Sequence, residues 1–247
     1  CHFILGNILI GQNKLQEAEK SIRRTIELKP NFAIAHHNLG GILKDSGKLK
    51  EAEISVLKAI EINPNTFDSH FLLGLILFGQ QKLQQAEISI RKSIQLKPNF
   101  ANGHFKLGEI LKDLGKLEEA EISTRKAIEI DNKYAKAYFQ LGIILSNLDK
   151  KNEAIKSIYN SIKIDPFFAG AYYILANLYT KQGNILEAEI NLKKAINIRP
   201  NFTDACNKLT LILAAQGKLQ EAKESQIKYI KSSPNKIDYI PSLFKVL

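Results

Sequence analysis

An all-α array of helix–turn–helix units is the fold this sequence predicts, on three observations. Alanine returns every 34 residues, at Ala18, Ala52, Ala86, Ala120, Ala154, Ala188 and Ala222. Leucine keeps the same beat at Leu5, Leu39, Leu73, Leu107, Leu141, Leu175 and Leu209. Within each period, apolar residues at helical spacing run up to a turn residue, resume, and stop near a proline. A fixed period of this length marks a stack of small units that share their core with neighbours. Such stacks present long faces for binding, so a scaffold is expected before a catalyst.

The unit is clearest in residues 33–66. Its first helix, A, carries Gly6, Gly40, Gly74, Gly108 and Gly142 in its interior in five repeats. A mid-helix glycine costs about 0.5–1 kcal/mol relative to alanine. Its recurrence predicts close approach of a neighbouring helix, with the recurrent alanine of the second helix, B, as its counterpart. Between the helices stand Asn13, Gly47, Gly115, Asp149, Gly183 and Gly217, residue types that tolerate the left-handed conformation ending a helix. Gln81 is the poor fit in that slot. Helix B stops at Pro30, Pro64, Pro98, Pro166, Pro200 and Pro234, with Asn132 substituting once. Proline lacks an N–H and clashes with the preceding turn. Tyr159 and Phe167 are expected to fill wider gaps between repeats.

Composition narrows the class. With 45% apolar and 24% charged residues, the chain of 247 residues is globular. No apolar run approaches the ~18 residues that span a bilayer, and no basic-then-apolar leader is visible. The chain starts at Cys1 inside a repeat and contains no methionine, so a piece of a longer protein is expected. Cys1 and Cys206 lie at opposite ends of the array, too few for a disulfide framework, and a reducing, cytoplasmic setting is the default.

The pattern resembles the tetratricopeptide repeat (TPR). The residues that carry the likeness are His36, Leu39, Gly40, Leu43, Gly47, Ala52, Val56, Ala59 and Pro64. Seven repeats are expected, at 1–32, 33–66, 67–100, 101–134, 135–168, 169–202 and 203–236, giving one array over 1–236. An eighth or capping helix is expected in 237–247, with Leu243, Val246 and Leu247 in its apolar slots. The resemblance implies a right-handed superhelical solenoid, helix A lining a concave groove and helix B the convex side. It also implies a protein or peptide as partner. The wording is similar to the arms of O-GlcNAc transferases, but their asparagine ladder is missing. Only Asn38 stands in that slot, against Ile4, Leu72, Lys106, Gln140, Ile174 and Lys208.

The groove implied by the resemblance supplies the candidate site. The fifth position of helix A reads Phe3, His37, Phe71, Phe105, Phe139, Tyr173 and Asn207. Aromatic rings give large contact areas at low entropy cost, although this slot also packs on the next repeat. Phe71, Leu72, Leu75 and Phe78 form an apolar cluster in the third repeat, of a kind a partner covers. Asn38, Lys106, Gln140, Asn177, Lys181 and Lys208 complete the expected partner-binding set. The carboxylate clamp of chaperone-binding TPR domains is not expected. Phe3, Asp68 and Leu72 stand where its three cations belong, which leaves a carboxylate without charged partners.

No metal or cofactor is expected. His2, His36, His70 and His104 share the 34-residue beat. Packed helices lie ~8–10 Å apart, whereas zinc holds its nitrogens at about 2.0–2.1 Å. The slot is therefore a packing position, filled later by Tyr138, Tyr172 and Cys206. No nucleophile–base pair, phosphate loop or CxxC motif is present, so no enzyme activity is expected of this chain.

A net charge of +10 raises nucleic acid as a partner. Basic residues recur at two adjacent positions of helix B: Arg23, Arg24, Lys58, Arg91, Lys92, Arg125, Lys126, Lys193, Lys194 and Lys228. Glu19–Arg23, Glu87–Arg91, Glu121–Arg125 and Glu189–Lys193 have the spacing of helical ion pairs. In the groove, Lys44, Lys106, Lys112, Lys136, Lys181 and Lys208 face Asp45, Asp68, Glu109, Asp113 and Asp204. The last three repeats keep only Asp204 against three lysines, which suits an acidic peptide segment. The leading reading is a protein-interaction scaffold with an extended peptide in its groove. Two alternatives stay open: a substrate-recognition arm of a larger glycosyltransferase, sulfotransferase or methyltransferase, and RNA binding by the basic helix-B ridge.

Overall fold

A computed structural model describes residues 1–232. Among them are fourteen α-helices and no strand. The helices alternate as A and B members of hairpins: α1 (His2–Gly11) with α2 (Leu15–Leu28), α3 (Ala33–Asp45) with α4 (Leu49–Ile62), α5 (Phe67–Gly79) with α6 (Leu83–Leu96), and α7 (Ala101–Asp113) with α8 (Leu117–Ile130). There follow α9 (Ala135–Asn147) with α10 (Lys151–Ile164), α11 (Ala169–Lys181) with α12 (Ile185–Ile198), and α13 (Thr203–Ala215) with α14 (Leu219–Ser232). The expected helix in 237–247, and Pro234, lie outside the described residues.

The chain divides into two compact units, Cys1–Asp131 and the part from Asn132 onward. The first holds four hairpins and the second three. Within each unit, the helices of a hairpin pack together and each helix B packs on the next helix A. Neither helix of a pair buries its apolar face alone; the stack does this.

The 34-residue beat is the core. All seven recurrent alanines are fully buried. The recurrent leucines are buried from Leu39 onward, but Leu5 is 47% exposed. It sits on α1 with Ile4 and Ile8, on the face that a preceding hairpin covers in the later repeats of the first unit. Around the alanines, Ile22, Ile42, Leu43, Ile76, Ile90, Ile110 and Leu111 fill the first unit. Ile144, Leu145, Ile158, Leu175 and Leu178 fill the second.

The glycines of helix A do mark close approach, but their counterpart is not the alanine side chain. A Cβ on Gly40 would lie 2.2 Å from Val56 Cγ2, and one on Gly74 or Gly142 would meet Ile90 or Ile158. These branched side chains sit one turn after each alanine. The alanine contributes its carbonyl, 3.2–3.4 Å from the same points. The small pair thus lets the backbones close up, and a branched residue plugs the space over the glycine.

The turns are alike in every hairpin. Asn13, Gln81 and Asp149 have φ of 57–62°, and Gly47, Gly115, Gly183 and Gly217 of 75–78°. After each, the next amide reaches back five residues, as in Lys48 N to Leu43 O at 2.8 Å and Lys82 N to Leu77 O at 2.9 Å. That bond closes helix A. Gln81 therefore adopts the left-handed conformation despite its side chain.

The B-to-A connections are latched. His36, His70 and His104 donate from Nε2 to the carbonyls of Pro30, Pro64 and Pro98 at 2.8, 2.8 and 2.9 Å. Cys206 Sγ lies 4.0 Å from Pro200 O in the same arrangement. The histidine line is thus a set of local ties, each from a helix A to the loop before it.

Phe167 does not fill a gap between repeats, whereas Tyr159 reaches the next repeat. Phe167 is 80% exposed, and its neighbour Phe168 packs instead, on Phe139. Tyr159 is half exposed, with its hydroxyl 2.8 Å from that of Tyr179. Burial and then that contact push the Tyr179 phenol up to about 12.

Candidate partner-binding faces

The expected groove residues all lie on A helices, and the structure sorts them into packing and accessible positions. The fifth-position rings pack edge-on or tilted against aromatic residues of the following B-to-A loop. Phe3 meets Phe32 at 4.9 Å between centroids, Phe71 meets Phe100 at 4.8 Å, Phe139 meets Phe168 at 4.6 Å and Tyr173 meets Phe202 at 5.0 Å. Each of these A-helix rings, like Phe105, is half-buried. The aromatic row therefore holds neighbouring hairpins together and offers only one side of each ring. Sequence reasoning missed the partners Phe32, Phe100, Phe168 and Phe202. Their signal was present, since Asn-Phe closes the unit at 31–32, 99–100 and 201–202.

His37, in the same slot, lies with Nδ1 3.0 Å from Ser69 Oγ. Burial pushes its imidazole below the ordinary histidine value, against the pull of Asp68. These residues, with Ile34, Asn63 and Thr66, line a cleft of about 330 Å³ in the first unit.

The sixth position reaches toward the preceding A helix. Asn38 donates to Asn7 Oδ1 at 2.8 Å, and Lys208 donates to Asn177 Oδ1 at 2.5 Å. This explains two corrections. Leu72 and Gln140, expected on the groove surface, are buried at 8% and 6% exposure, because the slot points between neighbouring hairpins. Within the apolar cluster of the third repeat, Leu72 is covered by its own chain. Leu75 and Phe78 remain half-buried, and the Lys106 ammonium lies 5.0 Å from the Phe78 ring centroid.

The charges of the helix-A face are unevenly matched. In the first unit Lys44 pairs with Asp45, Lys106 with Glu109, and Lys112 with Asp113 at 2.8 Å. In the second unit a cleft of about 580 Å³ crosses α9, α11 and α13. Tyr173, Asn177, Lys181 and Lys208 line it with Ser146, and no carboxylate does. Burial, then the charge of Lys181, pushes the Lys208 ammonium below the ordinary lysine range.

The helix-B face is different. The expected pairs form: Glu19–Arg23 at 2.8 Å, Glu87–Arg91 at 2.9 Å, Glu121–Arg125 at 2.8 Å and Glu189–Lys193 at 2.6 Å. The sequence reading missed that they are linked across hairpins. Glu19 also takes Lys48, Glu87 takes Lys116 and Glu189 takes Lys218, at 2.8–3.0 Å. Arg23 and Arg91 in turn reach Glu51 at 2.9 Å and Glu119 at 2.5 Å. The Lys228 side chain lies outside the described residues. The same face exposes Ile54, Ile88 and Ile122 at 69–70%, one repeat apart. Ile122 borders a cleft of about 590 Å³ with Arg91, Ile94 and His104. This feature was also missed, although Ala-Glu-Ile-Ser recurs at 52–55, 86–89 and 120–123.

Among the described residues, no group of three or more His, Cys, Asp or Glu is placed to hold a metal ion. No helix among them is long and apolar enough to cross a membrane.

A family model described as tetratricopeptide repeat matches residues 1–32, 33–66, 67–100, 101–134 and 169–202. A second model of the same description matches 124–156. Among solved structures, the chain is similar to YrrB, described as a TPR protein with an unusual peptide-binding site, at 24% identity and a TM-score of 0.63, covering 76% of this chain and 96% of that one. It is similar to a MamA protein at 26% identity and a TM-score of 0.61, over 72% and 97% of the two chains. It is similar to pilF of Pseudomonas aeruginosa at 18% identity and a TM-score of 0.71, over 87% and 96%. No curated protein matches the chain significantly.

Proposed function

Because the chain belongs to the tetratricopeptide repeat family, we propose that it is a protein-interaction scaffold whose A helices hold an extended stretch of a partner polypeptide. The observation that carries this reading is the cleft across α9, α11 and α13, with its apolar walls and ordered polar groups. Its size falls in the range of ~300–1,000 Å³ typical of ligand sites. In the first unit, half-buried Leu75 and Phe78 offer apolar contact further along α5. The likeness to YrrB supports the reading through the fold the two proteins share.

The test is capture of partners by the whole chain from a lysate of its own source, identified by mass spectrometry. Leu75→Asp with Phe78→Ala should reduce capture about tenfold or more, the effect of losing central anchors. Phe71→Ala is the poorer probe, because it also removes a packing partner of Phe100. Capture that survives the double substitution in a folded variant would refute binding at that face.

A further inference from the structure

The two lysines of the second-unit cleft differ from the helix-A lysines of the first unit. Lys44, Lys106 and Lys112 each have a carboxylate of their own. Lys181 and Lys208 line one cleft in which no Asp or Glu takes part. Lys208 is half-buried, and its hydrogen bond goes to a neutral amide oxygen, Asn177 Oδ1 at 2.5 Å. With that oxygen engaged, Asn177 has its NH₂ left to offer, which is a donor. The cleft therefore presents two cations and an amide donor with no internal anion. Two like charges share it, one of them partly desolvated, an arrangement that an incoming anion relieves.

The lining also restricts which anion. Ile143, Ile174, Leu178 and the Tyr173 ring give apolar walls that suit an aliphatic stem. No arginine fork and no helix N-terminus is present, the two features that favour a phosphoryl group. We propose that the cleft across α9, α11 and α13 takes an aspartate or glutamate side chain from within the bound segment, held by Lys181, Lys208 and Asn177. This rests on the reading of the helix-A face as a peptide site and names the chemistry that one part of it selects. The arrangement differs from the carboxylate clamp, whose cation positions are held by Phe3, Asp68 and Leu72.

The experiment presents the whole chain with an immobilised library of random dodecapeptides, N-acetylated and C-amidated so that no terminal charge competes. The expected result is enrichment of Asp or Glu at one position among captured peptides. Lys181→Gln with Lys208→Gln should weaken acid-bearing peptides about tenfold, as expected for a charge-assisted contact, and leave their Gln analogues unchanged. Lys181→Glu with Lys208→Glu should invert the preference to Lys and Arg. Thermal melts of both variants check that the fold persists. Peptides captured without acidic enrichment would overturn this proposal and leave the scaffold reading standing. Capture of no peptide at all would overturn both. A parallel library with free C-termini and phosphoserine is the control: capture confined to it, or a preference there for phosphoserine over glutamate, would overturn the side-chain carboxylate in favour of those groups.

Discussion

Ser93 on α6 is fully buried, and its hydroxyl has no hydrogen-bond partner among the described residues. The same slot of helix B holds Ala59, Ala127 and Ala195, all buried, and Ser161, whose hydroxyl donates to Ala135 O at 2.9 Å. An unsatisfied buried hydroxyl costs about 1–3 kcal/mol, whereas a satisfied one contributes about 1 kcal/mol. Ser93→Ala should therefore raise the urea midpoint by the equivalent of about 1 kcal/mol, and Ser161→Ala should lower it by a similar amount. A destabilised Ser93→Ala would refute this account. The pair shows where sequence reading stops at this scale. The beat at Ala18 to Ala222 names the core without a structure, because small residues recur only where helices touch. Ser93 and Ser161 read alike, and only the position of another helix's carbonyl separates them. The histidines were legible as packing positions, but not as ties to proline carbonyls, since the turn after Pro30 and the start of α3 must fold before His36 meets Pro30.

Helices and turns were the most legible level, because punctuation and period agree there. Gln81 shows the turn geometry prevailing over a side chain that does not favour it. The six other turn residues reveal the slot, and the hairpin needs it filled in the left-handed region whatever stands there. Contacts between elements were legible only when local. The Glu87–Arg91 pair follows from i,i+4 spacing, while Lys116 and Glu119 reach it from the next hairpin. For Glu87, burial raises the carboxyl pKa, but hydrogen bonds from Lys116 and Arg91 outweigh it and hold the group below the ordinary glutamate value. Glu19 is held low in the same way by Lys48 and Arg23, and Glu189 chiefly by Lys193. A lowered carboxylate pKa adds stability that is fully present above the unfolded value of about 4.3 and is lost as pH falls through the folded value. Glu87→Gln should thus destabilise the chain by about 1 kcal/mol at neutral pH, the upper range for an exposed pair. The gap between variant and wild type should close as pH falls below about 4.3. Denaturant titrations at neutral and acid pH measure it. A gap that persists in acid would mean that Glu87 acts by packing alone.

For the whole molecule, the two sides of the hairpins carry different chemistry. On the A helices, apolar, amide and lysine groups vary from repeat to repeat over an unchanging core. The B helices carry a recurrent row of basic residues, and much of its charge is committed. Arg23, Arg91, Arg125 and Lys193 each bind a glutamate of their own helix, and Glu19, Glu87 and Glu189 also bind a lysine of the next hairpin. A cation already paired with a carboxylate has less to gain from a phosphate. The exposed Ile54, Ile88 and Ile122 also interrupt the ridge with apolar surface. What remains is a diffuse field, which attracts any polyanion and reads no sequence. Binding of labelled single-stranded RNA, followed by fluorescence anisotropy, should therefore be weak and equal for sequences of matched length. It should also collapse between about 50 and 200 mM salt, because counterion release is the only drive. Arg23→Ala with Arg91→Ala should change it little, since these residues spend their charge on glutamates. Affinity that survives at the higher salt, or that distinguishes one RNA sequence from another, would return the helix-B ridge to consideration as a functional surface.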